Sequence, residues 1–155
     1  MPDDPVNNNI LINYVLITAV IAWGVAQLLK LPTAYLKTHK WHWSLFFSAG
    51  GMPSSHSALI SSTTLAIGFF QGFGTPLFAL ALAIGMIVVY DAAGIRQQAG
   101  KHAQKINMMI EALFQGHPIS ETTLKEVLGH TPIEAVMGVL LGSIVAIFMW
   151  LVVRY

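Results

Sequence analysis

Apolar residues along this chain of 155 residues are grouped into four runs, which more polar segments separate. The first run covers residues 10–29 and is interrupted only by Asn13, Thr18 and Gln27. About 20 such residues are enough to cross the hydrocarbon core of a bilayer, which is roughly 30 Å thick. This run therefore predicts a transmembrane helix.

The three later runs cover residues 55–71, 76–91 and 132–153. At about 1.5 Å per residue the second and third runs are short for separate spans, and only the turn GFGT separates them. We interpret them as a helical hairpin that spans the membrane, since the long flanking runs disfavour the alternative of a buried hairpin in a soluble protein. The pattern predicts an all-α, integral membrane bundle of four transmembrane helices, with residues 1–155 forming a single domain.

The segment between the third and fourth runs, residues 92–130, is too polar to span a membrane. Its apolar positions recur with helical spacing, which predicts an amphipathic helix at the membrane surface. The predicted stripe comprises Ile95, Ala99, His102, Ile106, Met109 or Ile110, and Leu113. We expect this stripe, including His102, to face the bundle. Thr131 and Pro132 then open the fourth helix, because proline is favoured in a first turn.

The composition agrees with a membrane protein and excludes several other classes. Charged residues make up 10% of the chain and hydrophobic residues 55%, whereas soluble domains have about 25% and 45–50%. The absence of cysteine excludes disulfides, thiolate catalysis and cysteine zinc sites. The net charge of +1 provides no general attraction to nucleic acid.

The cationic residues predict the orientation of the bundle. Every Lys and Arg except Arg154 lies between the first and second runs or between the third and fourth. The positive-inside rule places these two segments in the cytoplasm and both termini outside. The first ten residues contain no Lys or Arg, so they lack the basic region of a signal peptide, and we expect the first run to remain in the mature protein.

A stripe of small residues runs along the fourth helix at a spacing of four. It consists of Glu134, Gly138, Gly142 and Ala146. Small residues in such a row let two helices approach closely. The Gly138/Gly142/Ala146 stripe is therefore expected to serve either the internal bundle or a homodimer, and Glu134 lies at its cytoplasmic end.

The segment GGMPSSHSA, residues 50–58, has the composition of an anion site at the start of a helix. Pro53 is predicted to open the helix, and Ser54 and Ser55 lie in its first turn. The N–H groups and the dipole at such a helix end attract phosphate, and His56 is placed to donate a proton to a leaving oxygen. Serines at this position are also common as plain helix caps, so both roles stay open.

GGMPSSHSA resembles the middle motif of type 2 phosphatidic acid phosphatases, which are related to vanadium-dependent haloperoxidases. Together with YDAAGIRQQAGKHAQKIN and LGHTPIEAVMG, it is similar to the divergent branch of that family over nearly the whole chain after residue 10. In the third motif Arg96 is followed at the family spacing by His102, whereas Ile106 stands where the family has an aspartate. The first motif is not recognisable, and Lys30 and Lys40 are the available cations.

The resemblance implies a mechanism with a phosphohistidine intermediate. His102 would attack phosphorus and His56 would protonate the leaving alcohol, with Asp91 a further catalytic candidate that pairs with a cation or positions another group. The implied phosphate-binding residues are Arg96, Lys30, Lys40, Ser54 and Ser55, and the supporting candidates are Lys101, Asn107, His130 and Glu134. The resemblance implies no metal or other cofactor, and a Mg²⁺-dependent site that uses Asp91 and Glu134 is the alternative.

The expected function is that of a lipid phosphate phosphatase at the cytoplasmic leaflet of a bacterial inner membrane. Phosphatidylglycerophosphate is the preferred substrate, because it is made at that leaflet and ends in a phosphomonoester. Phosphatidic acid and polyprenyl phosphates follow. The alternative is a catalytically inactive family member that acts as a membrane scaffold or lipid-binding protein, which the isoleucine at position 106 favours. Neither function involves nucleic acid.

Overall fold

The computed structural model of the protein describes residues 13–40, 50–93, 102–110 and 131–155. Apart from turns and helix ends, these ranges are entirely helical and contain no strand. The helices are α1 (Tyr14–Thr38), α2 (Ser55–Gln71), α3 (Pro76–Ala93), α4, which includes residues 102–110, and α5 (Pro132–Arg154). The predicted all-α fold class is confirmed.

Helix α1 extends well beyond the predicted end at residue 29, so Lys30 lies within this helix and not between the first and second helices. A proline inside a helix removes one backbone hydrogen bond, yet α1 continues past Pro32 to Thr38. Its last turns are held by packing against the segment before α2, where the Thr33 hydroxyl donates to the Met52 carbonyl oxygen at 2.5 Å. Helices α2, α3 and α5 begin and end within two residues of the predicted runs.

Helix α2 lies at the centre of the bundle and packs against α1, α3 and α5. Helix α1 also packs against α5, whereas α3 and α5 touch only slightly. The C-terminal ends of α1 and α3 and the N-terminal ends of α2 and α5 meet at one end of the bundle, which we call the polar end. The opposite end, the turn end, contains the turn at residues 72–75 and the ring contact of Tyr14 with Phe70, whose centroids are 5.6 Å apart.

The interior of the bundle is built from small and polar residues, whereas its surface is formed by large apolar ones. The buried apolar residues are nearly all alanines, and Thr18, Ser62 and Thr64 are buried beside them. Leucine, isoleucine, valine and methionine side chains instead point outward along α1, α3 and α5. This distribution suits a protein surrounded by lipid, because small residues allow helices to pack closely where apolar burial supplies no driving force.

Within the described part of the chain, two helices are long and apolar enough to cross a membrane. They are Tyr14–Leu36 and Pro132–Arg154, and only 33% and 22% of their most apolar windows are buried within the chain. A core helix of a soluble protein is mostly buried, so the exposed apolar faces of these two helices favour contact with lipid. Helix α3 is apolar over Pro76–Ala92 but shorter.

The small-residue stripe of α5 packs inside the chain against the first turns of α2. Gly138 and Gly142 are buried. A Cβ atom at Gly138 would overlap the carbonyl oxygen of Ser54, and one at Gly142 would overlap the carbonyl oxygen of Ala58. The stripe thus serves the internal bundle, and a homodimer through it stays a prediction.

We expect Gly142→Ala to destabilise the protein by about 1–3 kcal/mol, the usual cost of overpacking. The added methyl group would overlap the Ser61 hydroxyl oxygen and the Ala58 carbonyl oxygen, and because the second belongs to the backbone of α2, α5 has to move. Gly24→Ala is the matched control, because no heavy atom lies within 4 Å of the added methyl group. Unfolding of the purified protein in detergent measures both variants, and equal stability of the two would contradict the role of Gly142.

Candidate functional site

The segment before α2 turns sharply at Gly51 and brings the chain against α1. Gly51 has φ +97°, a conformation that L-residues rarely adopt, and its Cα faces the side-chain methylenes of Lys30. Pro53 precedes α2 and does not open it, contrary to the prediction. Ser54, whose backbone is extended, is the N-cap.

Ser54 acts as a helix cap that also joins α2 to α5. Its Oγ accepts from the backbone N–H of Ser57 at 3.3 Å and from the Ser57 hydroxyl at 3.1 Å. Its own N–H donates to the carbonyl oxygen of Glu134 at 3.0 Å. Of the two roles left open for this serine, the structure therefore shows the capping role.

Lys30 reaches from α1 to the first turn of α2 and is 1% exposed. Its Nζ donates to the Oγ of Ser55 at 3.3 Å. Burying an ammonium group is costly unless it is paired and hydrogen-bonded, and the carboxylate of Glu134 on α5 supplies an attractive electrostatic interaction. Side chains from three helices thus converge at the polar end.

A small cavity of about 120 Å³ opens beside these groups. It is lined by Lys30, Thr33, Ala34, Thr38, Gly51, Met52 and Glu134. Of the predicted site residues, the structure places Lys30 and Glu134 in this lining and Ser55 in contact with Lys30. The cavity combines the ammonium group of Lys30 and the nearby N-terminus of α2, which are suited to binding a small anion, with the carboxylate of Glu134 and two threonine hydroxyls that donate to backbone carbonyl oxygens.

Sequence reasoning missed Thr33 and Thr38 in this cavity. Both lie on the same face of α1 as Lys30, at spacings of three and eight residues. The spacing becomes informative only when α1 is known to continue past Pro32.

Glu134 lines the cavity, and it also forms a capping box with Thr131 at the start of α5. Its carboxylate accepts from the N–H of Thr131 at 2.9 Å, and the Thr131 hydroxyl accepts from the N–H of Glu134 at 3.3 Å. The sequence TPIE carries the signature of this motif.

His56 lies on the first turn of α2, directly after Ser55, and is half-buried. Its Nδ1 atom is buried. The imidazole therefore lies at the same helix start as the Lys30–Ser55 contact, as the motif predicted.

Other predicted residues lie outside this cluster or outside the described residues. Lys40 is exposed beyond the end of α1, and Asp91 is half-buried near the end of α3, which does not contact α1. Arg96, Lys101 and His130 fall outside the described ranges. Among the residues that the structure describes, no three His, Asp or Glu side chains form a metal-binding group.

His102 is exposed on α4, and the expectation that it faces the bundle is wrong. The half-buried face of residues 102–110 contains Ala103, Asn107 and Ile110 instead. Met109 and Ile106 are exposed. Apolar residues of a helix at a membrane surface are attracted to lipid as well as to protein, so the apolar stripe does not identify the face turned toward the bundle.

Comparison with known proteins identifies relatives over nearly the whole chain. The profile of the divergent PAP2 family matches residues 11–145. The uncharacterized membrane protein YuiD of Bacillus subtilis (strain 168) is 32% identical over 151 residues, which cover 90% of this chain and 96% of that protein. No solved structure matches the chain.

Proposed function

The chain belongs to the divergent PAP2 family of membrane proteins, and from this premise we propose that it is a lipid phosphate phosphatase. The observation that carries the proposal is the buried ammonium group of Lys30, 3.3 Å from the hydroxyl of Ser55 at the start of α2. A cation buried beside a helix N-terminus is a costly arrangement whose natural ligand is an anion.

Phosphate binding at this cavity is compatible with the carboxylate of Glu134. That carboxylate is bonded to the N–H of Thr131 and lies at the N-terminus of α5, where the helix dipole offsets part of its negative charge. The positive charge of Lys30 is therefore balanced by Glu134 when no phosphate is bound, and Lys30 still attracts a phosphomonoester dianion. Ser55 supplies a hydroxyl donor to the same oxygens.

The proposed reaction uses the two histidines of the family motifs. His102 attacks phosphorus while His56 protonates the leaving alkoxide, which departs as an alcohol, and water then hydrolyses the phosphohistidine. Arg96 joins Lys30 and Ser55 in binding the phosphate oxygens. The substrate is a lipid phosphomonoester, with phosphatidylglycerophosphate preferred over phosphatidic acid and polyprenyl phosphates.

We further propose that α2 and α3 span the bacterial inner membrane together with α1 and α5. They lie between the same two ends as α1 and α5, with α2 central, and the outward face of α3 is apolar. Lys30, Lys37 and Lys40 lie at or just beyond the C-terminal end of α1, which is at the polar end, and four of the other five cations lie between α3 and α5 in the sequence. We therefore place this end in the cytoplasm, where it meets lipids as they are synthesised.

The orientation predicts opposite labelling of two cysteines in a chain that has none of its own. Lys40→Cys at the polar end is expected to be shielded from an impermeant thiol reagent in intact inner-membrane spheroplasts. Gly74→Cys, in the exposed turn at the other end, is expected to react. The reverse labelling would overturn the orientation and the proposed leaflet.

Phosphate release from a panel of lipids tests the function directly. Purified protein in vesicles is given phosphatidylglycerophosphate, phosphatidic acid, a polyprenyl phosphate and a soluble phosphomonoester, each with Mg²⁺ and with a chelator. We expect release from the lipids, fastest from the first. Preference for the soluble ester over every lipid would contradict the assignment.

A non-catalytic role is the second candidate. Ile106 occupies the position of the family aspartate, and its exposed apolar side chain cannot orient His102. Binding of the lipid phosphates without release from any of them would favour this role, and release would exclude it.

A further inference from the structure

An apolar groove of about 590 Å³ lies between α2, α3 and α5. Helix α2 forms its floor, and the groove exists because α3 and α5 flank α2 but touch each other only slightly. Its lining includes Leu65, Phe78, Leu82, Met86 and Val89. The volume is within the range of about 300–1,000 Å³ that is usual for small-molecule sites.

The serine and threonine hydroxyl groups on the groove are engaged with the backbone. Ser143 donates to the Val139 carbonyl oxygen at 2.8 Å, and Thr64 donates to that of Ile60 at 2.8 Å. Ser61 lies 3.3 Å from the Val139 carbonyl oxygen. The walls therefore present hydrocarbon, which excludes a polar ligand and suits an aliphatic chain.

The groove follows the bundle axis for about the depth of one leaflet. Phe78 and Tyr90 both line it and are roughly 18 Å apart along α3, which is somewhat more than half of a hydrocarbon core of about 30 Å. Near the turn end, Phe78 packs edge-on against Phe73, with ring centroids 5.1 Å apart. At the other end the groove reaches Tyr90, next to Asp91 at the polar end.

The part of the groove nearest the polar end lies next to the start of α2. Ile60 lines the groove one turn after Ser57, and Val139 lines it directly after Gly138, which packs against Ser54. A lipid whose chain occupies the groove thus has its headgroup at the level of the polar end.

We propose that this groove binds one hydrocarbon chain of the lipid whose phosphate is hydrolysed at the start of α2. The proposal rests on the proposed function, since it names the part of the protein that recognises the apolar portion of that substrate. It also places the lateral opening of the site between α3 and α5.

Photo-crosslinking tests the groove without requiring turnover. The probe is phosphatidic acid with a diazirine at the middle of one acyl chain, in phosphatidylcholine vesicles that contain the wild-type protein. We expect labelling of Leu65 and Val89, which line the groove and are half-buried, to exceed that of Ile87, which is 68% exposed on α3 outside the groove, by about tenfold. Equal labelling would show ordinary contact with bilayer lipid and overturn the proposal.

A groove-filling variant provides the second test. A Cβ at Gly85 would lie 3.4 Å from Cγ1 of Ile60, so the first carbon of Gly85→Phe fits and its ring enters the groove. Ile87→Phe is the matched control. We expect Gly85→Phe to raise KM for a long-chain phosphatidic acid about tenfold, as for the loss of roughly two buried methylene groups, and to leave a dihexanoyl substrate unaffected.

The outcomes separate this proposal from the proposed function. Groove labelling without phosphate release supports the groove and contradicts the phosphatase activity. Phosphate release with an unchanged KM in folded Gly85→Phe supports the activity and overturns the groove. If Gly85→Phe does not fold, the crosslinking of the wild-type protein decides.

Discussion

Lys30→Met is expected to reduce phosphate release from phosphatidylglycerophosphate by about 10²–10³-fold, the range seen when one preorganised donor to a developing charge is removed. Methionine keeps the apolar stem of this side chain, which is 1% exposed, and removes only the ammonium group that is bonded to Ser55. Replacing a buried charge with an apolar group of similar volume is often neutral for stability, so the loss should appear in the rate.

Initial rates in vesicles measure this effect, and thermal unfolding in detergent shows whether the variant is folded. Lys105→Met is the matched control, because it removes one cation from an exposed position on α4 and should leave the rate unchanged. A folded Lys30→Met protein with the wild-type rate would exclude Lys30 from the phosphate site. The proposed function would then lose its principal structural support.

His102→Ala is expected to abolish turnover, and His56→Ala to slow it by about 10²–10⁴-fold, the usual contribution of a general acid. The phosphoenzyme intermediate provides a second readout for His102→Ala. A phosphoenzyme that is labile in acid and stable in alkali should form on the wild type with radiolabelled substrate and be absent from His102→Ala. Because His102 is exposed, its replacement should leave folding intact.

His39→Asn is the control for loss of an imidazole at the polar end. His39 follows α1 with φ 53°, a left-handed conformation that asparagine tolerates. The His39→Asn variant should retain full activity. Near-normal turnover by folded His102→Ala would rule out the phosphohistidine mechanism, even if Lys30 proves essential for phosphate binding.

Predictions from the sequence succeeded where local signals decide the structure and failed at positions where distant segments meet. The apolar runs marked α2, α3 and α5 to within two residues, because hydrophobic periodicity and turn residues act over a few neighbours. The predicted end of α1 was wrong. Pro32 is a local signal that favours the end of a helix, but the packing of Thr33 against Met52 outweighs it.

The candidate site shows the same division. The start of α2 as a serine-capped, histidine-bearing helix end was readable from GGMPSSHSA. The partners of Lys30 could not be predicted from the sequence, because Ser55 and Glu134 lie far from it along the chain. These three residues meet only when three helices pack together. The outward orientation of His102 was also missed, since a helix at a membrane surface has apolar surroundings on more than one side.

By itself, the sequence determined the all-α class, the membrane character and family of the chain, and the chemistry available at its polar end. These follow from composition, periodicity and short motifs, which depend on residues close together in the chain. Only the tertiary structure decided that Lys30 is buried against α2, that the glycines of α5 face the Ser54 and Ala58 carbonyls, and that a groove separates α3 from α5. Such features depend on how closely backbones approach, and small residues permit that approach without specifying which helices make it.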